Sequence, residues 1–214
     1  MSEHTIPTDG QLDRVERALT VDDKDDSASV VATISQVYAT TVEDLWSACT
    51  TAERLARWFS PVTGDLVVGG RYQVEGNASG VIEICQPPTS FRATWEFNGA
   101  VSWITVRIEP VDDGHARLSL EHSGDIPHDF WYNFGPGATG VGWELGFLGL
   151  AQHLATGSSK PVEATEWLQT DAAKEFIAGS SRRWADAWIA AGASEEAARG
   201  AEARTTAFYT GQDT

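Results

Sequence analysis

A chain of 214 residues with 42% hydrophobic content and nine tryptophans is long enough for one domain with an appendage. Its formal net charge of −16, from 31 Asp and Glu against 15 Lys and Arg, argues against a nucleic-acid backbone or an anionic membrane as partner. The two cysteines, Cys49 and Cys85, fall in no metal or redox spacing. No apolar run has the length of a signal peptide core or of the ~20-residue span a membrane needs, so a reduced, cytoplasmic setting is the expectation.

In chain order, the polar Met1–Gly10 is read as mobile, and Gln11–Leu19 fits either a short amphipathic helix (Leu12, Val15, Leu19) or a leading strand. The acidic Asp22–Asp26 reads as a solvated turn before a strand at Val30–Val37. Thr40 or Thr41 then caps a helix with Glu43 and Asp44 in its first turn, where the helix dipole favours acids. A second short helix starts at Thr50 or Thr51, carries Leu55, Trp58 and Phe59, and is stopped by Pro61.

A meander follows, punctuated by Gly64, Gly69-Gly70, Gly76-Asn77, Pro87-Pro88, Asn98-Gly99 and Asp112-Asp113-Gly114. Asn98-Gly99 between two alternating runs is a hairpin signal. Alternation places Tyr72 and Val74, Ile82 and Ile84, Phe91, Ala93, Trp95 and Phe97, Ile104, Val106 and Ile108, and Leu118, Leu120 and His122 on one apolar face. A single covered face is what an antiparallel sheet requires. Ser123–Pro136 is read as an aromatic loop, and Gly140–Leu154 as a long helix with a core-facing stripe of Trp143, Phe147, Leu150 and Leu154. Gly142, Gly146 and Gly149 inside that helix each cost about 0.8–1 kcal/mol relative to Ala, which calls for either close backbone packing or room for a ligand. After a linker at Gly157–Pro161 come a short helix at Val162–Leu168, a longer one from a Thr170 cap to Gly192 that Gly179 interrupts or spans, and a last one after Ser194.

The segments Val42–Ala48 (VEDLWSA), Thr51–Pro61 (TAERLARWFSP), Val68–Tyr72 (VGGRY), Trp103–Pro110 (WITVRIEP), Leu118–His122 (LSLEH) and Gly142–Leu154 (GWELGFLGLAQHL) together resemble the START-like SRPBCC superfamily. The likeness is to its branch similar to activators of the heat shock protein 90 ATPase, and the tail from Glu163 to Thr210 looks like that of bacterial members. The resemblance spans about residues 28–156 and implies an α+β helix-grip fold, a curved antiparallel sheet around a long helix, with an apolar cavity. It divides the chain into an acidic extension (1–27), a helix-grip domain (28–158) and a helical tail (159–214). It implies no single activity, because members bind lipids, cyclise polyketides or assist chaperones on one scaffold.

The expected ligand wall is Trp58, Phe59, Tyr72, Trp95, Phe97, His122, Trp143 and Phe147, residues that are equally the expected core. His122 sits by parity on the apolar face, where a histidine is either hydrogen-bonded structure or a ligand-facing acid–base group. Glu144 is read as an acid in a helix's first turn, where the dipole accounts for it without a catalytic role. No histidine shares a metal-ligand spacing with another ligand, and no nucleophile elbow or phosphate loop is present, so neither metal, cofactor nor catalytic residue is expected. Three functions follow: a module holding a small hydrophobic or aromatic molecule between the sheet and the 140–154 helix; a cyclase- or hydrolase-type enzyme using His122 and Tyr72 in the same cavity; and a co-chaperone or interaction module with an aromatic surface of Trp103, Trp131 and the tail. Trp103, on the opposite face, is expected to meet the tail. Trp167, Trp184 and Trp188 are too apolar to stay in water, so the tail packs on the sheet's outer face or on a second copy in a homodimer.

Overall fold

The computed structural model describes residues 8, 10–159 and 164–212. The elements run α1 (Gln11–Arg14), β1 (Glu16–Asp23), β2 (Ser27–Tyr38), α2 (Val42–Thr50), α3 (Ala52–Trp58), β3 (Val62–Gly64), β4 (Arg71–Val74), β5 (Ser79–Gln86), β6 (Ser90–Phe97), β7 (Ala100–Asp112) and β8 (His115–Pro127). The helices α4 (His128–Phe134), α5 (Gly137–Thr156), α6 (Ala164–Trp167), α7 (Asp171–Ala190) and α8 (Glu195–Thr210) complete the chain. One eight-stranded sheet runs in the order β1-β2-β8-β7-β6-β5-β4-β3, the α+β helix-grip arrangement expected from the element order. Of the sequence expectations, Met1–Gly10 apart from Thr8 and Gly10, and residues 160–163 of the expected linker and following helix, lie outside the described residues.

The chain divides into two compact units: Met1–Ile34 with Asp125–Leu148 and Pro161–Thr214, and Ser35–Gly124 with Gly149–Lys160. In the second unit the meander β3–β8 is antiparallel throughout. Asn98 and Gly99 turn β6 into β7 with φ of 49° and 80°, the left-handed pair that a twisted two-residue hairpin requires. Alternation buries Tyr72 and Val74 on β4, Ile104, Val106 and Ile108 on β7, and Leu118 and Leu120 on β8. Ile84 departs from its expected place and is 48% exposed. A bulge between Ile82, opposite Ala93, and Ile84, opposite Arg92, reverses the alternation there and brings Cys85 opposite Phe91.

Helix α2 begins as expected: the Thr41 hydroxyl accepts from the Asp44 amide at 3.2 Å. Arg54 on α3 bonds the Asp44 carboxylate at 2.6 Å and reaches His153 Nε2 at 3.4 Å, while His153 Nδ1 lies 3.0 Å from the Ser158 carbonyl. The guanidinium, followed by the Thr40 hydroxyl, holds the Asp44 carboxyl below its usual range.

In the first unit the choice at Gln11–Leu19 resolves as both elements, a one-turn helix and then β1. The expected loop Ser123–Pro136 is instead the end of β8 followed by α4, whose Trp131 is buried against Trp188 at 5.0 Å between ring centroids. Trp131 is 2% exposed and therefore offers no surface for a partner. Helix α5 starts at Gly137, so Glu144 lies two turns in rather than in the first turn. It is fully buried and takes both arms of Arg17, at 2.6 and 2.7 Å. Arg17 also donates to the Val15 carbonyl at 2.9 Å, which leaves the guanidinium paired on several sides.

Helix α7 is continuous through Gly179, where an added Cβ would meet Leu12 at 2.7 Å. Trp184 and Trp188 are buried, and α7 packs on α8, β1 and α1 within this unit. Leu148 and Phe176 form a small core with Leu12, Leu145 and Trp167. The tail is further tied by Tyr209, which donates to the Ala138 carbonyl at 2.8 Å, and by Thr205, which donates to the Phe134 carbonyl at 3.0 Å.

Candidate ligand-binding face

Six of the eight residues expected to line a site belong to the unit built on β3–β8. Trp58 ends α3 half-buried, its indole N–H donating to the Ala48 carbonyl at 3.0 Å. Phe59 follows, half-buried and tilted against it with ring centroids 5.6 Å apart. Gly149 of α5 comes onto the Trp58 backbone so closely that a Cβ there would stand 2.6 Å from the carbonyl oxygen. That contact is the reason for one of the helix glycines.

Tyr72 is 7% exposed and gives its hydroxyl hydrogen to the Thr94 carbonyl at 2.6 Å. Burial, with a smaller push from the Glu96 charge, raises its phenol well above the ordinary range, so it stays protonated. Its ring lies over Gly80, its register partner on β5, where a Cβ would stand 2.8 Å from the ring.

Trp95 is half-buried, and the imidazole of His122 meets it edge-on at 6.1 Å. Phe97, at the hairpin end of β6, is 47% exposed. His122 Nε2 lies 2.7 Å from the Ser102 hydroxyl, which donates to the Trp95 carbonyl at 3.1 Å. Burial pushes the His122 pKa down to about 4, so the ring is neutral at physiological pH. Ser102 is absent from the residues singled out by sequence. Counting register from the Asn98-Gly99 turn finds it, since Trp95 pairs with Ser102 and Ile104 with His122.

The other two expected residues, Trp143 and Phe147, lie on the part of α5 that belongs to the first unit; Trp143 is half-buried there and Phe147 is 2% exposed. Trp103, on the opposite face of β7, bonds Glu83 through its indole N–H at 3.3 Å and lies under the Arg92 guanidinium at 5.7 Å. An open groove of about 650 Å³, lined among others by Thr89, Arg107, Glu109 and Arg117, includes none of the eight.

Chemically, the face offers a wide aromatic and aliphatic surface with one neutral polar spot. Burial pushes the Cys49 thiol up to about 12, which keeps it un-ionised and a poor nucleophile. Among the described residues no group of His, Cys, Asp or Glu gathers as for a metal ion, and no helix is long and apolar enough to cross a membrane.

Residues 39–155 match a family whose description is Activator of Hsp90 ATPase homolog 1-like protein. Comparison with curated proteins gives no match. Among solved structures, CalU16 from Micromonospora echinospora is 28% identical; its crystal structure has a TM-score of 0.64 over 81% of this chain and 97% of that one. Its solution structure gives 0.68 over 83% and 96%. PFC0360w, described as an HSP90 activator from Plasmodium falciparum, is also 28% identical, with a TM-score of 0.50 over 61% of this chain and 99% of that one. The likeness to CalU16 is too long to be confined to residues 39–155, and so takes in elements flanking the family segment.

Proposed function

This chain belongs to the Activator of Hsp90 ATPase homolog 1-like family, and from that premise we propose that it binds a small hydrophobic or aromatic molecule against the covered face of β4–β8. The observation that carries this reading is a gradient of burial across β6, β7 and β8. Ile108 and Leu118 are 1% and 2% exposed, Ile104 and Leu120 are 7% and 6%, and beyond them Trp95 and His122 are only half-buried. Trp58 and Phe59, also half-buried, add to the aromatic area left uncovered. Aromatic side chains gain most from full burial, so rings left partly open on an otherwise closed face suit a ligand that completes their cover. The free cysteines Cys49 and Cys85 are in keeping with action in the cytoplasm, a reducing compartment.

Titrating the full chain with a panel of fatty acids, sterols and polyketide-type aromatics, followed by tryptophan fluorescence and calorimetry, tests this. Saturable binding to at least one class, weakened several-fold in Trp95→Ala, is expected; no binding across the panel overturns it. The acid–base reading, with His122 and Tyr72 as catalytic pair, finds less support, because the Tyr72 hydroxyl is already given to the Thr94 carbonyl. The likeness to PFC0360w favours a second reading, stimulation of a chaperone ATPase. Adding the purified chain to an Hsp90-type ATPase assay measures it: a rise in turnover supports that reading and a flat response removes it.

A further inference from the structure

The charge pattern of the sheet narrows the ligand class, an inference that rests on the binding reading above. On β4–β8 within the unit Ser35–Gly124, every Arg and Glu alternates onto the face opposite the buried set. There these residues largely satisfy one another: Arg71 with Glu96 at 2.7 Å, Arg92 with Glu83 at 3.1 Å, and Arg107 with Glu121 at 3.7 Å. The covered face carries polar groups that are all neutral. Tyr72 bonds a strand carbonyl, Ser102 bonds another, and His122 sits against Ser102. The same unit's helix cations are also committed, Arg54 to Asp44 at 2.6 Å and Arg57 to Glu53 at 2.6 Å.

We propose that the ligand is uncharged: an aromatic or alicyclic molecule bearing hydroxyl, carbonyl or ester groups, and that carboxylates such as fatty-acid anions are excluded. A carboxylate drawn onto this face would shed its water without meeting a cation, and an ion buried without a partner is strongly disfavoured. A neutral hydroxyl or carbonyl gives up far less hydration than a carboxylate on entering such a face. The neutrality of His122 agrees with this, since its half-buried, desolvated ring resists protonation until about pH 4 and so supplies no positive charge at neutral pH.

Three matched probes on the unmodified full chain test the proposal at pH 7.5: 2-naphthol, 2-naphthoate and methyl 2-naphthoate, each by calorimetry. The ester and the anion differ little in ring or reach, so their ratio reports charge. The ester is expected to bind at least tenfold more tightly than the anion, with 2-naphthol on the ester's side. Discrimination of less than tenfold overturns the proposal while leaving the binding reading standing. If none of the three probes and no member of the wider panel binds, or if Trp95→Ala leaves the affinities unchanged in a variant that melts cooperatively, the binding reading falls and the proposal with it.

Discussion

Among the described ion pairs, Arg17 and Glu144 are the most deeply buried. Their exposures are 9% and 0%, and two parallel bonds of 2.6 and 2.7 Å join them. A pair so deep gives little net stability, because desolvation cancels most of the Coulomb attraction, yet removing one partner strands a buried charge. Arg17→Met or Glu144→Leu alone is expected to cost about 3–5 kcal/mol in denaturant unfolding, and the double variant to lose less than either single one. At His122 the linkage runs with pH. The folded-state pKa of about 4 lies below the ordinary 6.5, so the unfolded chain binds the extra proton. The stability this gives is therefore complete above pH 6.5 and is lost as pH falls towards 4, amounting to about 3 kcal/mol at ~1.4 kcal/mol per pKa unit. His122→Gln is expected to flatten that part of the stability–pH curve, measured as midpoint denaturant concentration from pH 7.5 to 4.5. An unchanged slope would place the acid sensitivity in the carboxylates instead.

The elements show which parts of the chain speak for themselves. Sequence poses two answers for Gly142, Gly146 and Gly149 of α5, packing or ligand room, and the structure shows close packing at Gly149 and, outside that trio, at Gly140. Gly149 lies against the Trp58 carbonyl, and at Gly140 a Cβ would stand 2.3 Å from the Trp184 ring. Backbone cannot step aside as a side chain can, so Gly149→Ala is expected to lower stability by about 1–3 kcal/mol in spite of its better helix propensity. Gly142→Ala meets only the Tyr209 hydroxyl at 3.1 Å and is expected to come within about 1 kcal/mol of the parent. Thermal and urea melts of both variants check the contrast. Local patterns made the hairpin at Asn98-Gly99, the Thr41 cap and the face of β7 legible, since each follows from residues a few positions apart. The bulge at Ile82 and Ile84 was not, because it is set by pairing with β6 and inserts no residue type that marks it. Ser102 was missed for a related reason: a serine on a strand gains its role only from the neighbours that register brings beside it. Helix α4 was hidden in an aromatic stretch whose burial depends on Trp188, fifty and more residues downstream.

At the scale of the whole molecule, the tryptophans of the tail demanded burial, and the structure answers within a single unit. Helix α7 packs on β1 and α1, Trp188 covers Trp131, and Gly135 and Gly140 leave room for Trp188 and Trp184. Arg183 pairs with Asp13, and Arg204 holds the Asn133 carbonyl at 2.7 Å. The tail is therefore part of the fold that also takes in the N-terminal elements and the start of α5, where composition alone suggests an appendage. A chain ending after Ser159 would uncover the buried Trp131 together with the helix faces that Trp184 and Trp188 now cover. Each large aromatic returned to water costs about 2–3 kcal/mol, and a domain of ordinary stability has only about 5–15 kcal/mol in total. Such a truncation is expected to give inclusion bodies, or a soluble form melting more than 10 °C lower, and separate expression of residues 164–212 is not expected to rescue it by simple mixing. Differential scanning calorimetry of the two lengths decides the matter, and a truncated chain that melts within a few degrees of the full one would make the tail an independent attachment after all.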